Sequence, residues 1–408
     1  MFFCGCDNDD EASCNSSYEP VTAMGKSPKR GVAQDTYTYY ADADLLEPAI
    51  SWTYNWRPDI DNQYAEVLYR FRGVEFCPMA WNGSFSEERI RAWVASHPDT
   101  KYLLAFNEPN LNDQARMTPQ QAAEAWPRLK ALADELKLKI VAPAMNYGTL
   151  SGYGDPIKWL DEFFALVPIT DVSAIAIHCY MGNSSSLIGF VNKFDKYNLP
   201  IWMTEFCAWE NFITTEDQQH RYMCEVINYF EMTAKVERYA WFIPRTYSIA
   251  VDAKPFMQFL THFEPIELTP LGKTYQALST FDKSVWLDAE QWVKANLYVG
   301  LENHNCYIYQ TDDGVNDFEV RYIGAPQKID YQVATRAAHS GFQIHYRSAI
   351  DSRVAVYVDN VLLALANLPS TGEQWSEATA TVPITAGKHT VRLEPISGTI
   401  SYDGFMWK

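Results

Sequence analysis

Short apolar runs alternate with longer amphipathic segments between Lys29 and Phe281. Runs that are apolar almost throughout are typical of strands buried on both faces, as in a parallel sheet covered by helices. There are eight such runs: Arg30–Ala33, Ala49–Trp56, Val74–Asn82, Tyr102–Glu108, Lys139–Asn146, Val172–Tyr180, Leu199–Phe206 and Arg238–Ile243. Eight βα units within about 250 residues predict an α/β fold, a (β/α)8 TIM barrel over residues 27–283. An open doubly wound sheet is the alternative, but no glycine-rich phosphate loop follows the first run.

Three of the amphipathic segments carry helix start signals. Thr118 offers an N-cap before a proline at the first helical position and Gln121 at the third, which is a capping-box pattern. Asp155 precedes Pro156 in the same way, and Thr215 with Gln218 starts a third helix. The sequence therefore predicts helices that begin at these positions.

The pattern changes after Phe281. Apolar and polar residues alternate in the runs Ile329–Val333, Phe342–Tyr346 and Val354–Val358, and glycine and asparagine turns separate them. Alternation with a period of two indicates strands with one buried face, as in a β-sandwich. We therefore expect a second, jelly-roll-like β-sandwich domain over residues 284–408.

Composition excludes several classes of partner. The chain has 33 Lys and Arg against 51 Asp and Glu, a net charge of −18, which disfavours nucleic acid and anionic membrane surfaces. No apolar run approaches the roughly 20 residues that a membrane span needs. The 13 Trp, 25 Tyr and 21 Phe suit stacking against neutral sugars as well as core packing. We expect a monomeric, extracytoplasmic globular protein.

The first 26 residues form a separate N-terminal tail that opens with MFFCGCDNDDE. This opening resembles the end of a bacterial lipoprotein signal, with Cys4 or Cys6 as the lipidated cysteine. It would make the protein lipid-anchored at the bacterial surface or in the periplasm, and otherwise secreted. A vector remnant or an incomplete gene start is the alternative. Cys179 and Cys207 lie in apolar runs and are expected to be buried thiols.

Two carboxylates end predicted strands. Glu108 closes the run ending Asn107-Glu108, and Glu205 closes the run from Leu199. Active sites of (β/α)8 barrels lie at the carboxyl ends of the strands, so the two glutamates should converge there. Paired carboxylates are the groups that glycoside hydrolysis requires. A salt bridge from either glutamate to a loop arginine is the alternative.

Further polar and aromatic residues fall at or just past strand ends and are candidate substrate-binding residues. They are Trp52, Asn55, Trp81, Asn82, Asn146, His178, Tyr180, Trp209 and Trp241. For any one of them, ordinary packing or capping of a loop is the first explanation, and it is the whole cluster that indicates a binding site.

The segments SWTYNW, PMAWNG, LLAFNEPN, IAIHCY, PIWMTEF and YAWF, in this order, resemble glycoside hydrolase family 128. The resemblance covers roughly Ser27 to Phe281 and implies a (β/α)8 endo-β-1,3-glucanase that needs no cofactor for catalysis. It implies that Glu108 is the general acid/base, Glu205 the nucleophile and Asn107 a ligand of the sugar 2-hydroxyl. Trp52, Trp81, Tyr180 and Trp241 would line glucose subsites.

The C-terminal part resembles a family 6 carbohydrate-binding module. The resemblance rests on Ala289-Glu290, Tyr331–Ala338, Thr371-Gly372 with Trp375, Ala386–His389 and Tyr402–Phe405. It implies a structural Ca²⁺ held by Glu290 and Asp403, whose hard oxygen ligands suit that ion. A surface strand charge is the alternative for Glu290.

The expected activity is retaining hydrolysis of laminarin- or curdlan-like β-1,3-glucan. The alternatives are the same barrel acting on mixed-linkage or β-1,6-glucan, and a surface glycan-binding lipoprotein without catalysis. In the retaining enzyme we expect the negative charge of Glu205 to raise the pKa of Glu108, and hydrogen-bond donors to keep Glu205 ionised.

Overall fold

The computed structural model describes residues 27–35, 37, 39–61, 70–245, 255–277, 286–290, 294–296, 308–311, 313, 318–335 and 337–408. The chain divides into two compact units, with the division between Ser279 and Thr280. The predicted boundary at Ser284 lies outside the described residues, as do Cys4 and Cys6, so the boundary and the lipid anchor stay predictions. No helix in the described ranges is long and apolar enough to cross a membrane.

The first unit contains an eight-stranded sheet in which every neighbouring pair is parallel. Its strands are β1 (Arg30–Ala33), β2 (Trp52–Tyr54), β3 (Glu75–Phe76), β4 (Tyr102–Leu104), β5 (Lys139–Val141), β6 (Val172–Cys179), β7 (Ile201–Phe206) and β8 (Val236–Phe242). The order is β3-β2-β1-β8-β7-β6-β5-β4. Backbone hydrogen bonds from Leu104 to Pro78 and from Ala80 to Leu104, both 2.9 Å, connect the two outer strands. This arrangement fits the predicted (β/α)8 barrel.

Seven α-helices of this unit are described. They are α1 (Tyr40–Leu46), α2 (Glu87–Ser96), α3 (Pro119–Leu136), α4 (Pro156–Phe164), α5 (Ser184–Asn192), α6 (Glu216–Met232) and α7 (Pro270–Ala277). The three predicted helix starts are confirmed. Thr118, Asp155 and Thr215 each accept a backbone hydrogen bond from the first turn of α3, α4 and α6.

Large side chains fill the barrel near the start of the strands. Arg238 lies between the rings of Trp202 and Tyr102, at 4.5 and 4.6 Å from their centroids, and pairs with Glu75 at 2.7 Å. Trp52 packs against Trp202 with 5.2 Å between centroids. This end of the barrel is therefore a closed core, and the polar residues at the opposite strand ends are left to form a site.

The second unit contains two antiparallel sheets. Their strands are β9 (Trp286–Asp288), β10 (Lys294–Asn296), β11 (Ile308–Gln310), β12 (Phe318–Gly324), β13 (Lys328–Thr335), β14 (His339–Arg347), β15 (Ser352–Val358), β16 (Val361–Leu368), β17 (Ser376–Ile384), β18 (Gly387–Ser397) and β19 (Thr399–Trp407). The five-stranded sheet has the order β10-β13-β18-β15-β16. The six-stranded sheet has the order β11-β12-β19-β14-β17, with β9 as its sixth strand, paired to β19. Tyr331 of the first sheet contacts Phe405 of the second at 5.0 Å between ring centroids, as a β-sandwich requires. The β-sandwich assignment and its jelly-roll order stay predictions.

Candidate active site

Glu108 lies just past the end of β4, where the strand gives way to a loop. Asn107 still bonds as part of the sheet, with its N–H donating to Trp81 at 2.9 Å. Glu108 then adopts a φ of +43°, a left-handed conformation that costs energy for a residue with a side chain. Its side chain is buried, with 6% of the residue exposed. Such strained and buried residues concentrate at functional sites.

Glu205 lies within β7 and receives hydrogen bonds from three neutral side chains. The Tyr54 hydroxyl and the Trp56 indole N–H donate to Oε1 at 3.0 and 2.7 Å, and the Tyr180 hydroxyl donates to Oε2. Burial, and then the charge of Glu205, raises the pKa of the Tyr180 hydroxyl well above its ordinary value, so the phenol remains a donor. These donors hold the carboxylate in one orientation and stabilise its ionised form.

His178 lies between the two glutamates. Its Nδ1 is 2.9 Å from Oε1 of Glu108 and 3.3 Å from Oε2 of Glu205, and the ring is fully buried. One oxygen of each carboxylate and a ring nitrogen of His178 all lie within 4.8 Å of one another. Because both neighbours of Nδ1 are carboxylate acceptors, this nitrogen carries a proton and donates a hydrogen bond to the glutamates.

The charges of the three groups are interdependent. Burial alone lowers the pKa of His178, but the charges of Glu205 and Glu108 outweigh it and raise that pKa. Burial raises the pKa of Glu108, but the His178 charge and the bonds from His178 and Asn146 lower it overall. Burial and the Glu108 charge leave the pKa of Glu205 raised, against the effects of His178 and the donors. The pKa of Glu108 is thus lowered and that of Glu205 raised, opposite to the directions expected from the sequence, because His178 lies closest to Glu108.

This arrangement predicts a pH-dependent stability. Since the pKa of His178 is raised on folding, its protonated form stabilises the protein fully below the unfolded value of about 6.5, and the stabilisation is lost as pH rises through the folded pKa. We expect the wild-type Tm to decline from about pH 6.5 upward, and this decline to be absent in His178→Asn. His97→Asn on the barrel exterior is the control. Parallel Tm curves for all three proteins would contradict the assignment.

Two asparagines that were predicted to bind substrate lie next to Glu108, one in space and one in sequence. Asn146 follows β5 and donates from Nδ2 to Oε1 of Glu108 at 3.1 Å. Asn107, which is 3% exposed, donates to Gln114 at 3.1 Å, while its Oδ1 has no hydrogen-bond partner among the described residues. A buried acceptor of this kind needs a partner, and a sugar hydroxyl would supply one. Its contact with the 2-hydroxyl stays a prediction.

Partly exposed aromatic rings surround Glu205. Phe242 lies 5.9 Å from Trp56, 5.4 Å from Tyr180 and 6.0 Å from Trp209, as ring-centroid distances. Trp81 packs against the barrel interior and is also partly exposed. Of the predicted substrate-binding residues, Trp81, Tyr180 and Trp209 thus have surface available to a ligand.

The positions of three residues contradict the prediction that they bind substrate. Trp52 and Trp241 have no exposed surface, and their indole N–H groups donate to Lys29 and Met257 carbonyls. A ring without exposed surface cannot stack on a sugar, so both are core residues. Asn55 closes its own loop, since Nδ2 donates to the Asp59 carbonyl and Oδ1 accepts from the Arg57 N–H.

Sequence reasoning missed Tyr54, Trp56 and Phe242. Tyr54 and Trp56 stand two and four residues after Trp52, and side chains in a strand alternate between faces. Strand periodicity therefore gave a signal for Tyr54, the last residue of β2, which shares the inward parity of Trp52. Trp56 lies two residues past the end of β2. Phe242 follows Trp241 on β8, and parity in the same way separates the outward tryptophan from the inward phenylalanine.

The predicted calcium ligands lie in the second unit. Glu290 and Asp403 are fully buried, so the surface-charge alternative for Glu290 is wrong. The Ala289 N–H donates to the Asp403 carbonyl at 2.8 Å, which places the two acidic residues on adjoining backbone. Asp403 Oδ2 also lies 3.2 Å from His345 Nδ1. Buried carboxylates suit a hard cation, and the calcium site and glycan binding by this unit stay predictions.

Comparisons with known proteins agree with this geometry. A family model described as glycosyl hydrolase catalytic core matches residues 31–275. A GH128 (subgroup II) endo-β-1,3-glucanase from Pseudomonas viridiflava is 36% identical, with a TM-score of 0.54 over 62% of this chain and 98% of that chain. The corresponding Sorangium cellulosum enzyme is 32% identical, with a TM-score of 0.54 over 61% and 98%. Alkali-sensitive linkage protein 1 from Schizosaccharomyces pombe is 26% identical over 234 residues, and the chain spans 39% of its length.

Proposed function

Because this chain belongs to the glycosyl hydrolase catalytic core family and to glycoside hydrolase family 128, we propose that it is a retaining endo-β-1,3-glucanase. In this proposal Glu205 is the nucleophile and Glu108 the general acid/base. The enzyme class, glycoside hydrolase, follows from the family. The substrate is proposed from the two solved relatives, both of which are endo-β-1,3-glucanases.

The observation that supports retention is the short separation of the carboxylates. Their nearest oxygens lie within 4.8 Å of each other. Retaining glycosidases place the two carboxyl groups about 5–5.5 Å apart, whereas inverting enzymes leave about 6.5–9.5 Å for a water molecule. The separation here falls on the retaining side of this division, which supports the proposed mechanism.

In the first step, Glu205 attacks the anomeric carbon while Glu108 protonates the departing glycosidic oxygen. The three neutral donors on Glu205 fix the direction of attack. Burial and the Glu108 charge raise the pKa of Glu205 against the effect of these donors, which makes the carboxylate a stronger base and nucleophile. His178 Nδ1 lies 2.9 Å from Oε1 of Glu108, so its proton can pass to Glu108 when substrate displaces solvent.

In the second step, Glu108 removes a proton from water, which attacks the glycosyl-enzyme and restores Glu205. Bond formation at Glu205 has removed one negative charge beside His178. Glu108 is then the remaining carboxylate near the imidazole, and its ionised form is the base that this step requires. The two carboxylates supply both roles, and we propose that catalysis uses no cofactor.

Product analysis tests the proposal. The protein is incubated with laminarin, curdlan and a mixed-linkage β-glucan, and the products are separated by chain length. We expect a ladder of β-1,3-linked oligosaccharides from laminarin and curdlan, and the β-anomer as the first product in NMR spectra. Preference for mixed-linkage or β-1,6-glucan would overturn the substrate, and binding to curdlan without release of sugar would indicate a non-catalytic glycan-binding protein.

A polymeric glucan does not cross a cell membrane, so an enzyme that degrades it has to meet it outside the cytoplasm. We therefore place the proposed activity outside the cytoplasmic membrane, in a secreted or lipid-anchored monomer. Fractionation of cells that express the full chain would test this location, and activity confined to the cytoplasmic fraction would contradict it.

A further inference from the structure

Hydrogen bonds join the loop after β4 to the loop after β5. Thr149 and Leu150 donate their backbone N–H groups to the Asn110 carbonyl at 3.1 and 2.9 Å. Asn112 donates to Thr149 twice, from its backbone N–H to Oγ1 at 2.9 Å and from Nδ2 to the carbonyl at 2.7 Å. The two loops carry Glu108 and Asn146, so their relative position sets the environment of the proposed acid.

Asn110 is the buried centre of this contact and has no exposed surface. Its Nδ2 donates to the carbonyl of Asn146 at 2.7 Å and to the carbonyl of Tyr153 at 3.4 Å. Both neighbours of Nδ2 are acceptors, which settles the orientation of the amide, because the flipped amide would place oxygen against oxygen. An aspartate of the same shape would meet these carbonyls with a negative charge.

The packing around this amide leaves no spare volume. A Cβ on Gly148 would lie 2.3 Å from the Tyr153 carbonyl and 2.5 Å from Asn110 Nδ2. Backbone atoms cannot yield as the end of a flexible side chain can. The loop after β5 is therefore held in one position relative to Asn110.

We infer that Asn110 is a positioning residue for the proposed general acid/base, acting through Asn146. The sequence of contacts is short: Asn110 Nδ2 holds the Asn146 backbone, and Asn146 Nδ2 holds Oε1 of Glu108. The inference rests on the proposed function, since it gives Asn110 a role only if Glu108 transfers a proton. Asn110 would thus support the proposed catalytic residues from a buried position, without touching substrate or the reacting atoms.

The contact has a chemical consequence at Glu108. A hydrogen bond to the ionised carboxylate favours that form, so losing the Asn146 bond raises the pKa of Glu108. The carboxylate would also lose one of the partners that fix its direction. Steps that need proton transfer should therefore suffer, and steps that do not need it should not.

Asn110→Ala is the first test. We expect kcat/KM on laminarin to fall about 10- to 100-fold, because a displacement of about 1 Å of a positioned reactive group can cost about 10²-fold. On a dinitrophenyl β-laminaribioside, whose leaving group needs no proton, kcat/KM should stay within about threefold of wild type. The basic limb of the kcat/KM profile on laminarin, which reports the acid, should move to higher pH.

Three further variants separate positioning from general stability. Asn112→Ala removes bonds between the same two loops without touching Asn146, so it should leave the pH profile in place. Gly148→Ala pushes the loop away from Asn110 and should reproduce the shift of the basic limb. Asn110→Asp should be impaired most at high pH and recover towards low pH, because only the protonated side chain can donate to the Asn146 carbonyl.

The outcomes decide between the possibilities. Equal losses on laminarin and on the aryl substrate, with an unmoved basic limb, would show that Asn110 is only structural and would overturn the inference. Tm measurements on each variant identify any that fail to fold, and in that case the Asn110→Asp pH profile carries the test. If Glu108→Ala itself keeps wild-type activity on laminarin, the proposed function fails rather than this inference.

Discussion

Glu205→Ala is expected to abolish hydrolysis of β-1,3-glucan while oligosaccharide binding stays largely intact. The alanine has no oxygen to form the glycosyl-enzyme, and loss of a covalent nucleophile costs on the order of 10⁴-fold or more in kcat. Binding persists because the partly exposed rings of Trp81, Trp209 and Phe242 remain in place. Reducing-sugar release from laminarin measures the first effect, and calorimetric titration with a β-1,3-oligosaccharide measures the second.

Azide gives this variant a second readout. In the space that the side chain leaves, azide can attack an activated aryl β-glucoside from the face of Glu205 and form the α-glycosyl azide. Glu135→Ala, which removes an exposed carboxylate on α3, is the control and should keep wild-type activity. Substantial glucan hydrolysis by Glu205→Ala would refute the nucleophile assignment, and an α-anomer as first wild-type product would make Glu205 a base in an inverting enzyme.

The loss of activity in Glu108→Ala is expected to depend on how good a leaving group the substrate carries. Hydrolysis of laminarin needs a proton on the glycosidic oxygen, so kcat/KM should fall about 10²- to 10⁴-fold. A dinitrophenolate leaves without protonation, so kcat/KM on a dinitrophenyl β-laminaribioside should be nearly unchanged. The second step still lacks its base, and the glycosyl-enzyme should accumulate as a burst of dinitrophenol.

Azide again distinguishes the two glutamates. It attacks the accumulated glycosyl-enzyme without needing a base, so it should restore kcat of Glu108→Ala on the aryl substrate and yield the β-glycosyl azide. Equal losses on laminarin and on the aryl substrate would argue against Glu108 as acid/base. The α-azide from this variant would mean that the two roles are exchanged.

The barrel and both glutamates were predictable from the sequence because their signals are local. Each strand of a βα unit is visible in the sequence as an apolar run. The helices that follow Thr118, Asp155 and Thr215 begin there because these residues cap the first turn. Glu108 and Glu205 were found because parallel strands bring their carboxyl ends together, so a position along the chain becomes a position in the site. The resemblance to glycoside hydrolase family 128 added their roles.

The aromatic residues were harder to assign because the same residue type serves the core and the site. Trp52 and Trp241 are core residues, whereas Trp56 donates a hydrogen bond to Glu205 and Phe242 packs against Tyr180. Residue type does not distinguish core rings from rings in the site. Strand parity and depth along the barrel axis distinguish them, but depth becomes known only when the register of all eight strands is known.

By itself, the sequence determined the βα alternation, the change to alternating strands after Phe281 and the two strand-end glutamates, because each depends on neighbours along the chain. Only the tertiary structure decided that His178 lies between Glu108 and Glu205, within 3.3 Å of both. The directions of their pKa shifts follow from these distances, since interactions between charges depend on separation in space. Residues 70 and 27 positions away in sequence thus raise the pKa of a histidine, and no local pattern in the sequence shows that.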